Sequence, residues 1–254
     1  MTDALRAEWT KLRTSPSTAW ILLPTVVLTA GLSALVTGTV HTFGQSLGDP
    51  TKLSLIGVDL GQAIVAVLGV VVISEEYGTR MIRTTLAAVP RRPMMLAAKA
   101  TNLIVLCTVA SALGVAGSVL AGRLLLSHAG LGNGYTLISL GNGPTVRAAV
   151  GSVIYLVLIA LLALGIATAI RDTAASIGVV LALLYLVPIL AATVQGSWHR
   201  HLEQIGPMTA GMSIQSTTGL SSLPISPWAG LGVLAAWSAG ALLIGGCALQ
   251  FRNS

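Results

Sequence analysis

Long apolar runs separated by short polar segments set the pattern of this chain. An α-helix rises 1.5 Å per residue, so about 20 predominantly apolar residues cross the hydrocarbon core of a bilayer. By that measure six stretches read as spans: Thr18–Val40, Val58–Ser74, Leu96–Ala121, Thr145–Ile170, Ala174–Val194 and Trp228–Phe251. They predict an all-α, polytopic membrane protein, with residues 1–254 forming a single transmembrane domain. Six crossings return the C-terminus to the side of the N-terminus.

The polar segments orient that bundle. One side collects Arg6, Lys11, Arg13, Arg80, Arg83, Arg91, Arg92, Lys99, Arg171 and Arg252, against Lys52, Arg123, Arg147 and Arg200 on the other, which predicts both termini in the cytoplasm. Within residues 1–15, Leu5, Trp9 and Leu12 share one helical face while Arg6, Lys11 and Arg13 occupy others. This predicts an interfacial helix, serving as a topology anchor or as a partner contact. Arg171-Asp172 joins the fourth and fifth spans almost without a loop and predicts a helical hairpin whose charges cap the turn. Pro188 predicts a kink in the fifth span. Gly130–Gly134 and Gly141–Pro144 are turn chemistry. The long stretch 195–227 mixes Leu202, Ile205, Met208, Met212, Ile214 and Leu223 with Ser and Thr, predicting short helices that dip back into the outer leaflet.

Composition narrows the chemistry. With 54% hydrophobic and 9% charged residues, a soluble globule would lack the polar surface to stay dissolved, so the chain belongs in lipid. The net charge of +6 is spread over short segments that set topology, which argues against a nucleic-acid partner. Cys107 and Cys247 lie in apolar runs, where a thiol acts as a small hydrophobe, so neither a disulfide nor a metal site is expected. His199 and His201 are too close in sequence to share a helical face, and no Cys or carboxylate cluster completes a zinc site around them, His41 or His128. Glu75 and Glu76 diverge on a helix and do not form an acid/base pair. No G-x-x-x-x-G-K-[ST] occurs, so nothing here cradles ATP phosphates. These features predict no catalytic residues, no metal and no cofactor in this chain.

Some polar and small residues fall inside the spans. Asp59 and Gln62 share a face near the outer end of the second span, and Thr101 and Asn102 lie near the inner end of the third. Each pair reads either as a polar lining of a pathway or as interhelical hydrogen bonding. Ala110, Gly114, Ser118 and Gly122 repeat every four residues, as do Ala236 with Gly240 and Ala241 with Gly245, which predicts close helix packing without choosing the partner. Between the second and third spans, residues 75–93 form a basic cytoplasmic loop. In it Ile82, Leu86 and Val89 recur at helical spacing before Pro90 and Pro93. A short amphipathic helix there fits either a groove on a second protein, with Arg80, Arg83, Arg91 and Arg92 at the rim, or the lipid surface.

That loop carries a resemblance. Glu75 or Glu76, Gly78-Thr79, Leu86, Pro90, Arg91-Arg92 and Lys99 resemble the E…GT…L…P…R…K pattern after the second span of type-2 ATP-binding-cassette exporter permeases. Ala7-Glu8-Trp9-Thr10-Lys11-Leu12-Arg13 and Ser226-Pro227-Trp228-Ala229-Gly230-Leu231 also resemble actinobacterial members. The resemblance implies a permease of the bacterial cell membrane that pairs with an identical or paralogous copy. A separate ATPase, which binds ATP and Mg, would dock on the coupling helix. Glu75, Glu76, Gly78, Thr79, Arg80, Arg83, Leu86, Pro90 and Arg91, with the stripe residues Ile82 and Val89, become candidates for transmitting force. It further implies that the second and fifth spans line a path, making Gln62, Leu68, Ile177, Leu181 and Leu184 candidate lining residues beside Asp59; an ordinary packed face accounts for them equally. Apolar walls with sparse polar groups suit a hydrophobic or amphipathic cargo such as a drug, antibiotic, peptide or lipid. Two other readings stand beside transport: a membrane anchor or sensor recruiting a cytoplasmic protein, and an intramembrane lipid-modifying enzyme.

Overall fold

The computed structural model describes residues 16–43, 49–78, 92–127, 143–193 and 197–251, which are helical almost throughout with no strand among them. In chain order the helices are α1 (Pro16–Phe43), α2 (Pro50–Ser54), α3 (Val58–Gly78), α4 (Arg92–Ser127), α5 (Gly143–Ile170), α6 (Thr173–Thr193), α7 (Ser197–Ile205), α8 (Pro207–Met212) and α9 (Pro227–Phe251). Tight 3-10 turns at Ser213–Gln215 and Leu220–Ser222 follow α8. The interfacial helix expected over 1–15, the coupling-helix residues 79–91 and the loop 128–142 lie outside the described residues.

Among the described residues, four helical segments are long and apolar enough to cross a membrane: Met94–Leu125, Gly143–Ile170, Thr173–Thr193 and Pro227–Phe251. Leu23–Thr39 and Val58–Ser74 are shorter apolar stretches within α1 and α3. Large apolar side chains such as Leu35, Leu113, Ile189 and Leu243 point out of the bundle, where water would penalise them and lipid does not. The chain is a membrane protein. α4 exceeds the stretch that hydropathy marks, running 36 residues or about 54 Å. Backbone hydrogen bonding continues past the hydrocarbon boundary, so composition locates the span but not the helix ends.

α5 is the hub, packing against α9, α3, α4 and α6. Its Tyr155, Leu156, Ile159, Ala160, Leu162, Ala163, Leu164 and Ala167 are wholly buried. Lipid tails are as apolar as leucine, so dispersion at close backbone approach has to hold such helices together. A Cβ on Gly69 would lie 2.4 Å from the Ala160 carbonyl oxygen, and one on Gly165 would lie 2.5 Å from the Ala241 carbonyl carbon. Only glycine permits the α3–α5 and α5–α9 crossings. Ala241 and Gly245 therefore meet α5, and Ala241 also borders, with Ala236 and Gly240, an open apolar groove of about 560 Å³ on the bundle surface. The sequence spacing fitted both pairs, and the backbone contact at Gly245 is what tertiary packing adds.

α1 is built inside-out. Thr25, Thr29, Ser33 and Thr37, four residues apart, are buried on one face while Leu23, Val27 and Leu35 point outward. The Thr29 and Thr37 hydroxyls donate to the carbonyls of Thr25 and Ser33 at 2.6 and 2.7 Å, which satisfies them inside the helix. The Gly57 N–H donates to Ser33 Oγ at 3.0 Å, and the Ser118 hydroxyl of α4 reaches the Thr29 carbonyl at 3.2 Å. Ala110, Gly114, Ser118 and Gly122 form the buried face of α4, with Gly114 and Ser118 against Thr29.

The α5–α6 turn behaves as its charges predict. Arg171 takes a left-handed backbone (φ 67°) and donates to the Ala248 carbonyl in the last turn of α9 at 2.9 Å. The Asp172 carboxylate caps α6 by accepting the Ala175 N–H at 2.7 Å. In α6 the helix opens into a π turn at Ala182–Leu186, separated from Pro188 only by Val187. A proline supplies no N–H, and the wider turn is where the helix absorbs that break.

Candidate functional site

Polar groups gather at the end of the bundle that carries α2, α7 and α8. Asp49-Pro50 starts α2 with an acidic N-cap and a proline in the first turn. Asp49 Oδ1 accepts the Thr51 and Lys52 N–H groups at 3.1 and 3.2 Å and the Thr217 hydroxyl at 2.7 Å. Its Oδ2 accepts the N–H groups of Thr217 and Thr218. One carboxylate thus ties α2 to the segment before α9. Partial burial pushes the Asp49 carboxyl upward, but the Thr217 hydroxyl and the Thr217, Thr218 and Lys52 N–H groups outweigh that and hold it below its ordinary value of 3.8.

A depressed folded value means this tie contributes stability above the ordinary carboxyl range and loses it as pH falls through the lower folded value. Asp49→Ala is expected to destabilise the protein by about 1 kcal/mol at neutral pH. The gap between parent and variant should close on acidification below pH ~4. Denaturant unfolding in mild detergent across that pH range measures both effects.

Behind α2 the α3 face is polar where it meets the hub. Gln62 is wholly buried, accepting the Tyr155 hydroxyl proton at Oε1 and approaching Met208 Sδ with Nε2 at 3.3 Å. The Tyr185 hydroxyl of α6 donates to the Asp59 backbone carbonyl at 2.5 Å. Gln62 is thus an interhelical hydrogen-bonding residue. Tyr155→Phe would leave the Gln62 carbonyl oxygen without a donor in the core. It should cost about 1–3 kcal/mol with little change in helix content, measured by unfolding midpoint and far-UV circular dichroism.

Asp59 faces differently. Its Oδ1 is buried without a hydrogen-bond partner, and it lines a cavity of about 280 Å³ together with Asp49, Lys52 and Gln215. Leu53, Ile56 and Met212 supply the apolar walls. Gln215 is 1% exposed, and its Nε2 also has no partner. The floor of this region is held by further ties. Arg147 donates to the Ser216 carbonyl at 2.6 Å, Gln204 to the Pro224 carbonyl at 2.7 Å and Trp237 to the Ile205 carbonyl at 2.9 Å.

The other candidate lining residues divide. Leu68 and Leu184 are packed in the core, whereas Ile177 and Leu181 are half-buried on α6. At the opposite end, Lys99 is buried and donates to the Val72 carbonyl at 3.2 Å, tying α4 to α3. Glu75, Glu76 and Gly78 lie in the last turn of α3, while Thr79, Arg80, Ile82, Arg83, Leu86, Val89, Pro90 and Arg91 fall outside the described residues. Asn102 is buried and Thr101 exposed. His199 lies 3.5 Å from Glu203 and places Nδ1 2.8 Å from the Ala191 carbonyl, and His201 meets Trp198 edge-on. Among the described residues no three His, Cys, Asp or Glu side chains converge as metal ligands.

Asp49, Tyr155, Tyr185 and Gln215 were not picked out from sequence, and Arg147 was read there only as a topology charge. Only Asp49-Pro50 carried a local signal, the N-cap followed by proline. The others sit singly within apolar or Ser/Thr-rich stretches and acquire meaning from partners far along the chain. No protein-family model matches the chain, and no curated protein matches it.

Proposed function

We propose that this chain is the membrane-embedded permease subunit of an ATP-binding-cassette exporter of the type-2 class. Two copies, or one copy and a paralogue, enclose a path, and a separate ATPase docks on the cytoplasmic side. The observation that carries the reading is the loop between α3 and α4. There Glu75, Glu76, Gly78-Thr79, Leu86, Pro90 and Arg91-Arg92 follow the second apolar helix, with Lys99 in the next. The order of apolar helices supports it: among the described residues four are of spanning length, and the shorter apolar stretches in α1 and α3 are compatible with the six spans the reading requires. The short helices α7 and α8 before α9 support it too, in the position where re-entrant helices are expected. The chain contains no phosphate-binding loop, so hydrolysis belongs to the partner.

Closure of the ATPase pair pushes on the helix around Leu86 and biases the bundle between two arrangements. α3 transmits that push because it continues into the loop at one end and reaches the α2 cavity at the other. Affinity purification from native membranes, followed by mass spectrometry, tests the reading. An ATPase carrying a phosphate-binding loop should co-purify in near-stoichiometric amount. Recovery of the intact, folded chain with a kinase or with no nucleotide-binding protein would favour the anchor or sensor reading.

A further inference from the structure

The open groove between α5 and α9 is apolar along its whole length, from Leu162 to Ile170 on one helix and from Val233 to Ile244 on the other. At 1.5 Å per residue the α9 side runs about 16 Å, close to the ~15 Å depth of one leaflet's hydrocarbon. Its 560 Å³ holds on the order of 18 carbons, at the ~30 Å³ that a water-sized group occupies in a liquid. Those are the dimensions of one acyl chain. The chemistry changes at one end. Ile170 is followed by Arg171, whose Nη2 donates at 2.9 Å to the carbonyl of Ala248, one turn beyond Ile244 on the same face of α9. Asp172 comes next, exposed, with its carboxylate at the start of α6. A cation and an anion in consecutive residues thus stand where the apolar groove ends.

We propose that this groove is a binding site for one zwitterionic phospholipid whose headgroup ends in a primary ammonium. One acyl chain lies between α5 and α9, the phosphate meets Arg171, and the ammonium meets the carboxylate of Asp172. Both headgroup charges then find their opposites. An anionic phospholipid would satisfy Arg171 and be repelled by Asp172, and a quaternary ammonium has no N–H to give that carboxylate. A second copy's helix is the poorer occupant. α5 and α9 already touch at Gly165 and Gly245, so the groove is a crease between them, and a helix 10–12 Å across would bridge it. Trp237 and Ile244, 39% and 64% exposed, would hold such a helix off, whereas a flexible chain threads between them over Gly240, which has no neighbour within 4 Å. The site requires only that the chain span a bilayer and does not depend on its being a permease.

Trp237 lines the groove and reports on it. The test places the full chain in phosphatidylcholine nanodiscs containing increasing fractions of a phospholipid brominated along its acyl chains, with an ethanolamine, choline or glycerol headgroup. Bromine quenches nearby indoles, and the difference between parent and Trp237→Phe isolates the signal of Trp237. Quenching should saturate, with half-saturation for the ethanolamine lipid at a mole fraction at least about threefold lower than for the other two, the value of one exposed ion pair. Asp172→Asn, which can still cap α6, should erase the advantage over the choline lipid. Arg171→Gln should weaken all three, since each carries the phosphate. Gly240→Leu, which fills the groove without altering charge, should remove the saturable component. Equal half-saturation for the three lipids in the parent, quenching that never saturates, or an unchanged preference in Asp172→Asn would each overturn the proposal. Trp237 shielded from every brominated lipid in a dimeric protein would give the groove to a second copy and overturn it too. The parent's discrimination among headgroups stands as a test even if a variant fails to fold.

Discussion

Gly165→Ala is expected to weaken the helix bundle by about 2–3 kcal/mol, whereas Gly178→Ala should leave stability unchanged or raise it by up to ~1 kcal/mol. Helix propensity favours alanine at both sites, so the difference in sign isolates packing. At Gly165 the added methyl would lie 2.5 Å from the Ala241 carbonyl carbon and 2.6 Å from the Leu242 nitrogen. Both are backbone atoms that cannot rotate away, so α9 must retreat. That retreat also loosens Gly245, whose own missing Cβ lets it approach the Gly165 carbonyl and Thr168. At Gly178, on the outer face of α6, nothing lies within 4 Å. Denaturation in mixed detergent micelles, followed by far-UV circular dichroism, measures the two midpoints. Equal midpoints would mean that the α5–α9 crossing does not hold the bundle together.

Leu86→Asp is expected to cut both ATPase co-purification and ATP-driven export at least about tenfold while leaving the membrane level of the chain unchanged. Ile82, Leu86 and Val89 form the apolar stripe of the proposed docking helix. Placing a carboxylate at its centre forces an unpaired charge into the partner's groove, a cost well above the ~1.4 kcal/mol that equals a factor of ten. Leu86→Ile keeps the apolar contact and should retain most activity. If Leu86→Asp recovers as much ATPase and exports as fast as the parent, docking does not run through this stripe.

The apolar helices were legible because a bilayer demands long uninterrupted apolar runs with internally satisfied backbones, and such runs stand out in composition. The Arg171-Asp172 hairpin was legible for a local reason, a cap and a turn within a few residues. Helix ends were less so: α4 begins at Arg92 and continues to Ser127, since polar residues prolong a helix that has left the hydrocarbon. The site at the α2 end was mostly hidden. Asp59 and Gln62 stood out as polar residues in an apolar run, but their different fates depend on Tyr155, 93 positions beyond Gln62, and on Gln215 across the cavity. The link from Asp49 to Thr217 spans 168 positions, and no local pattern encodes it. The α1 hydroxyl stripe was readable in principle from its four-residue period, which hydropathy averaging conceals.

The central claim is that a partner ATPase engages the segment around Leu86 from the cytoplasmic side. A photo-crosslinking phenylalanine analogue placed at position 86 in native membranes tests it most directly. The account predicts that irradiation joins this chain to one cytoplasmic protein that carries a phosphate-binding loop, and that the adduct is inaccessible to a protease added outside. Adducts with lipid alone, or with any protein on the outer face, would contradict it.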